Sequence, residues 1–297
     1  MEDGSPSEMF GSIDDVEIDY RDHAFIVDSP SKELRVFDYD GAHVSTIGGP
    51  GEGPGEFPSP LQKVLINSRA TVVAVLSGQK AHIFDRTNGT SFAFRSAFVR
   101  DGFVGFGGCT MNDHLYLLAV IPERDGMIHK HTIDGAIVST FGALYKSDNM
   151  QIVRHLSTKA RLACSTKYNV IAYLMNYSPV LTGYHETGQL AWHVSFADFA
   201  PMKVTEGRAP SGRSRVSFSG TEVGEGFYTN IFAHGDYFYV SYRLRGEDSG
   251  QLFRVHAQTG HPTYLGTIDT IVYGIDRDYI ITGTNFPFPQ VKIHAKR

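Results

Sequence analysis

The side chains best suited to chemistry gather in segments between apolar runs. Arg154 and His155 stand in one such segment, and Lys203, Arg208, Arg213 and Arg215 crowd another, with Arg243 and Arg245 beyond it. Guanidinium groups converging on one opening would hold a carboxylate, sulfate or phosphate through paired N–H donors. Inert, solvated charges give the same pattern. Of the thirteen His, His155 is the one placed for acid–base work. With Arg154 and Tyr228 it makes a candidate catalytic set. Asn176, Tyr177, Asn230, Tyr242 and Asn285 fall near the ends of similar segments. There, rings would stack on a sugar or peptide and amides would bond its polar groups. Together with Arg213 and Arg215 they form the candidate ligand-binding set.

Other chemistry finds little support. No H-E-x-x-H or Gly-x-Ser-x-Gly motif occurs. The Gly48–Phe57 stretch, GGPGEGPGEF, lacks the Lys and the following helix of a phosphate loop. His129 and His131 share one strand face that could hold a metal, though it reads as plain outer surface. Cys109 and Cys164 sit in apolar strand-like contexts and read as buried free thiols. The chain has 297 residues, 41% hydrophobic and 20% charged, ample for a core. Its formal charge of −5 argues against a nucleic-acid partner. No apolar run reaches the ~18 residues needed to span a membrane. The first residues, MEDGSPSEMFGS, lack an apolar h-region, so the sequence reads as soluble, with no signal peptide in it.

The elements that must position these residues are short strands. Val16–Asp19, His23–Asp28, Leu34–Asp38 and His43–Ile47 alternate with turn residues, and Asp40-Gly41 closes the last hairpin. The same four-strand order returns, with turn glycines at Gly41, Gly89, Gly135, Gly188 and Gly260, at intervals of 48, 46, 53 and 72 residues. A four-strand unit of roughly 40–50 residues predicts a propeller. The fold class is all-β: a six-bladed β-propeller of four-stranded antiparallel blades, in one domain spanning 1–297. The blades fall at about 13–48, 61–96, 103–142, 160–196, 228–266 and 270–297. The sixth lacks a fourth strand, and Ser7–Ser12 is expected to supply it and close the ring. Ala197–Phe227 reads as a loop insertion, and Gln151–Thr158 as one helical turn at most.

Alternating strand directions place the links on two faces. Links between strands one and two, and three and four, are short. Links between strands two and three, and between blades, are long, among them Gly48–Pro60, Gly142–Lys159 and Ala197–Phe227. The long-link face around the channel mouth is therefore the expected binding surface, for a small molecule, glycan or peptide. The alternative is a propeller lyase or hydrolase acting on a small anionic or cyclic substrate. No cofactor is predicted, and a divalent metal in the channel is the one addition the reading leaves open.

The stretch Ile26–Pro60, IVDSPSKELRVFDYDGAHVSTIGGPGEGPGEFPSP, resembles the NHL-like six-bladed β-propellers, especially the bacterial "6-bladed beta-propeller" family of uncharacterised proteins. The shared pattern is I-x-V-F-D-x-x-G-x-x-V-x-x-I-G followed by G-x-G-P-G-E-F. The resemblance implies the propeller fold and an extracytoplasmic location. It assigns no site residue, because propellers host unrelated functions.

Overall fold

The computed structural model describes residues 9–176, 178, 180–196, 203–208, 214–219, 226–244, 249–285 and 287–296. Six antiparallel sheets follow one another around a ring. Blade one holds β1 (Asp15–Ile18), β2 (His23–Asp28), β3 (Glu33–Asp38) and β4 (His43–Ile47). Blade two holds β5 (Leu61–Ile66), β6 (Val72–Ser77), β7 (Lys80–Asn88) and β8 (Ser91–Val99). Blade three holds β9 (Phe103–Met111), β10 (His114–Val120), β11 (Ile128–Thr132) and β12 (Ile137–Phe141). After helix α1 (Met150–Thr158), blade four holds β13 (Ala160–Ser165), β14 (Val170–Met175), β15 (Val180–His185) and β16 (Leu190–Ser195). A separate hairpin, β17 (Lys203–Arg208) and β18 (Ser214–Ser219), precedes blade five. That blade holds β19 (Gly226–His234), β20 (Tyr237–Leu244), β21 (Gly250–His256) and β22 (Pro262–Ile268). Blade six holds β23 (Ile271–Ile275), β24 (Tyr279–Thr284) and β25 (Gln290–Ala295). The first strands touch in succession round the channel, and β23 meets β1 to complete the circle.

The core lies between blades because each sheet buries both faces. Phe25, Val27, Leu34 and Val36 of blade one pack against Leu61, Val64, Val73 and Val75 of blade two. Burying each such side chain contributes roughly 1.5–3 kcal/mol. The Gly/Pro loop serves this seam. Gly48 has φ +74, and a Cβ there would meet the Phe57 ring at 2.0 Å. Glycine thus lets the chain turn back while Phe57, wholly buried, fills the space against His82 and Phe84.

Several expectations change. Cys109 and Cys164 are not free thiols: they form a disulfide joining β9 to β13, the inner strands of adjacent blades. A separation of 55 residues hides the pairing in the sequence, and the ring brings the two Cα atoms to 5.6 Å. The insertion is not all loop, since β17 and β18 pair antiparallel from Lys203↔Ser219 to Arg208↔Ser214. Helix α1 is longer than one turn. Asn149 caps it by accepting from the Gln151 N–H at 2.9 Å, and burial of Ile152, Val153 and Leu156 stabilises it. His129 and His131 are not surface residues but buried. Between Ala119 O and Thr140 Oγ1, burial lowers the His129 pKa to about 4.

Blade six contains three strands among the described residues. Ser7 and Glu8 lie outside them, and Met9–Ser12 pair with no strand of that sheet. Here the amino-terminal segment is held by side chains. Asn285 grips Ile13 twice, its Oδ1 accepting from the Ile13 N–H at 2.8 Å and its Nδ2 donating to the Ile13 carbonyl at 2.9 Å. Phe10 packs on Phe37, and Arg35 donates to the Met9 carbonyl.

Candidate functional site

The channel is asymmetric along its axis. At the long-link end, β9 and β13 approach closely because a glycine stands where any side chain would collide. A Cβ on Gly107 would lie 2.7 Å from the Ala160 carbonyl and 3.2 Å from the Arg161 Cα. The exposed Phe106, next to Gly107 on β9, is covered by Lys159, with its ammonium 5.2 Å from the ring centroid.

Arg161 is half-buried, its Nε is buried without a hydrogen-bond partner, and no ion pair forms to it among the described residues. Its charge acts on Tyr273 of β23. Blades four and six are not neighbours, so this influence crosses the channel. Burial raises the Tyr273 pKa, Arg161 opposes that rise, and Asp15 and Asp14 add to it. Asn176 adjoins: its N–H donates to the Lys159 carbonyl at 3.0 Å, while its side-chain Oδ1 is buried and unpartnered.

The sequence candidates divide. Asn176 lies at this mouth. Arg154 and His155 ride on α1, Arg154 exposed and His155 half-buried, with the His155 pKa lowered by desolvation and by Lys159. Tyr242 is not a surface ligand residue: it is 1% exposed, inside the core between blades four and five. Asn230 is buried and donates to the Val272 carbonyl at 3.0 Å, tying blade five to blade six. Asn285 holds the amino-terminal segment. Backbone positions of Arg215 and Tyr228 fall in β18 and β19. Tyr177 and Arg213 lie outside the described residues.

At the short-link end the channel widens into a cavity of about 400 Å³ that takes in residues from five blades, among them Glu17, Tyr20, Lys63, Cys109, Cys164 and His234. The Lys63 ammonium bonds both oxygens of buried Asp15 at 3.1 Å, and Asp15 also accepts from the Val64 N–H. Among the described residues Glu17 has no cation bonded to it, and the Ile18 backbone is its one hydrogen-bonding neighbour. Burial raises its pKa to about 7, with Lys63 opposing the rise and Asp15 adding to it.

Sequence reasoning missed Glu17, Lys63, Arg161 and Phe106. For Glu17, Lys63 and Arg161 the available signal was a charge among the apolar residues of an inner strand, DVEI, LQKVLI and ARLACS, and for Phe106 a ring set among the glycines of FVGFGG.

Among the described residues, no three His, Cys, Asp or Glu side chains converge as a metal-binding group, and no helix is long and apolar enough to cross a membrane. No functionally curated protein matches the chain. Solved structures share its architecture at low identity. A Bacteroides fragilis protein described as exported is 12% identical with a TM-score of 0.65, covering 99% of this chain and 93% of its own. Hydrazine synthase of Kuenenia stuttgartiensis is 8% identical with a TM-score of 0.57, covering 100% and 99%. A Lactobacillus plantarum protein is 14% identical with a TM-score of 0.54, covering 96% and 84%. At such identities the likeness concerns the fold alone. Residues 5–90 match the family model described as "6-bladed beta-propeller", and the ring of sheets carries that architecture through the rest of the chain: it is a six-bladed β-propeller.

Proposed function

We propose that this propeller is a binding protein whose long-link channel mouth takes a small acidic sugar of the uronate class. The carrying observation is Arg161, half-buried with its Nε buried and unpartnered among the described residues, two positions along the chain from Lys159, whose ammonium lies over the exposed ring of Phe106. A carboxylate would satisfy the guanidinium through paired N–H bonds, and the sugar's apolar face would stack on the ring. Lys159 adds positive charge, and Asn176 Oδ1 would accept from a hydroxyl.

The Cys109–Cys164 disulfide favours an oxidising compartment, in keeping with a structural neighbour described as exported. An extracytoplasmic location is therefore part of the proposal.

Calorimetric titration with digalacturonate tests the site. Arg161→Ala should weaken binding roughly 10- to 100-fold, the worth of one charge-assisted bond pair. Arg154→Ala, on the exposed face of α1, should change it less than threefold. Equal affinity of Arg161→Ala and the unaltered protein would remove the assignment, as would preference for a neutral sugar of the same size.

A further inference from the structure

We propose that the short-link half of the channel is a second binding site, which takes a small organic ammonium ion between the Glu17 carboxylate and the Tyr20 ring. This goes beyond the long-link reading and uses none of its residues.

The charges on the inner strands do not balance. Asp15 and Lys63 neutralise each other through two 3.1 Å contacts, both side chains nearly excluded from water. Glu17, two residues along β1, faces the same cavity and is left with one negative charge. A half-buried carboxylate bonded only by the Ile18 backbone is costly to hold ionised, and it is relieved by taking up either a proton or a cation. The other titratable groups lining the cavity leave that charge open. Lys167 at the rim is engaged by Asp236 at 2.5 Å. His234 has its pKa lowered by burial and by Lys296, with Asp276 opposing, so burial favours its neutral ring.

Tyr20 supplies the second contact. It belongs to the turn between β1 and β2, yet its hydroxyl donates to the Ala233 carbonyl of blade five at 3.1 Å. Its ring lies near-parallel to that of His234, with centroids 6.1 Å apart. Blades one and five are not neighbours, so Tyr20 reaches across the channel end. It does so at φ +54, a left-handed conformation that a tyrosine seldom adopts and that the cross-channel bond helps hold. An aromatic face over a carboxylate-bearing cavity suits an ammonium head, by cation–π attraction above and ion pairing below. Divalent cations fit less well, because calcium seeks six to eight oxygens and one carboxylate here is unpaired. The roughly 400 Å³ of space and the apolar Leu65 and Phe232 allow the amine a short apolar body.

The test is calorimetric titration of the full chain with phenethylammonium chloride at pH 8, against its neutral analogue 2-phenylethanol and against calcium chloride. The amine should bind, the alcohol should bind at least tenfold more weakly, and calcium should give no competing signal. Glu17→Gln, nearly identical in shape, should lose at least tenfold in amine affinity. Tyr20→Leu should lose a few-fold while keeping Glu17. A primary amine stays protonated at pH 8, whereas Glu17 passes from mostly protonated to mostly ionised between pH 6 and pH 8. Affinity should therefore rise about tenfold across that interval, and the rise should vanish in Glu17→Gln. Arg161→Ala should leave amine binding unchanged, which separates this site from the long-link mouth. No uptake of amine at pH 8, equal binding by Glu17→Gln or by the alcohol, or calcium displacing the amine would each overturn the proposal.

Discussion

The two ends of the channel grow from the same inner strands but are held together differently. At the short-link end, among the described residues, five of the six seams carry a polar bridge built from an acid on a short link. Asp19 pairs with Arg86 at 2.6 Å, Asp113 with Arg69 at 2.5 Å, Glu186 with Lys130 at 2.6 Å and Asp236 with Lys167 at 2.5 Å, and Asp276 accepts from Tyr39 at 3.2 Å. The disulfide pins the same half, since both cysteines line its cavity. At the long-link end three seams are covered by three different things: the Phe57 plug, helix α1 and the Asn285 clasp. The repeat thus builds a common frame at one end and leaves the other free to vary. Candidate ligand chemistry occurs at both, because charges on inner strands project toward the axis whichever end they are nearer.

The largest effect should come from the centre. Lys63→Met would strand Asp15, which is 1% exposed, next to Glu17. Breaking such a pair from one side costs about 3–5 kcal/mol, to be read from denaturant unfolding. A loss below ~1 kcal/mol would mean the channel charges are solvated, and would dissolve the contrast in burial between them and the rim.

Next comes the disulfide. Reduction, or Cys109→Ser with Cys164→Ser, should cost roughly 2–5 kcal/mol by freeing the loop between blades three and four. Identical melting with and without reductant would show that the two halves are not covalently distinguished.

Glu17 gives a smaller effect with a definite sign. Its folded pKa of about 7 exceeds the ordinary 4.5, so the folded state holds this proton more tightly than the unfolded chain does. Its contribution is fully present below pH 4.5 and is lost as pH rises through 7. Glu17→Gln should accordingly be more stable than the unaltered protein at pH 8, by on the order of 2 kcal/mol, and equal to it near pH 4.5. A destabilised Glu17→Gln at pH 8 would mean that the carboxylate is already paired.

The smallest effect belongs to the rim. Arg69→Ala removes an ion pair whose side chains are 67% and 49% exposed, and should cost less than ~1 kcal/mol, fading in high salt. A loss as large as that for Lys63 would place the short-link bridges, and not the channel, at the origin of ring stability.

Much of the frame was legible because it repeats. Turn glycines such as Gly41 and Gly135, at φ +88 and +95, mark where hairpins turn, and apolar alternation marks the strands between them. The candidate site was far less legible. Asn230 and Tyr242 sit near strand ends, where amides and phenols suit a ligand, yet the ring turns them into the seams between blades. Arg161 and Glu17 lay within strands and so escaped a search directed at loops.

What the sequence alone determined is the unit and its count. Strand, turn and strand are local features, set by residues a few positions apart through backbone sterics and side-chain alternation. Tertiary structure decided which distant residues meet. It brought Cys109 to Cys164, Lys63 to Asp15, and Tyr20 across the channel to Ala233. Each pairing depends on the curvature of the closed ring, and that curvature comes from all six inter-blade seams together, so no single stretch of sequence encodes it.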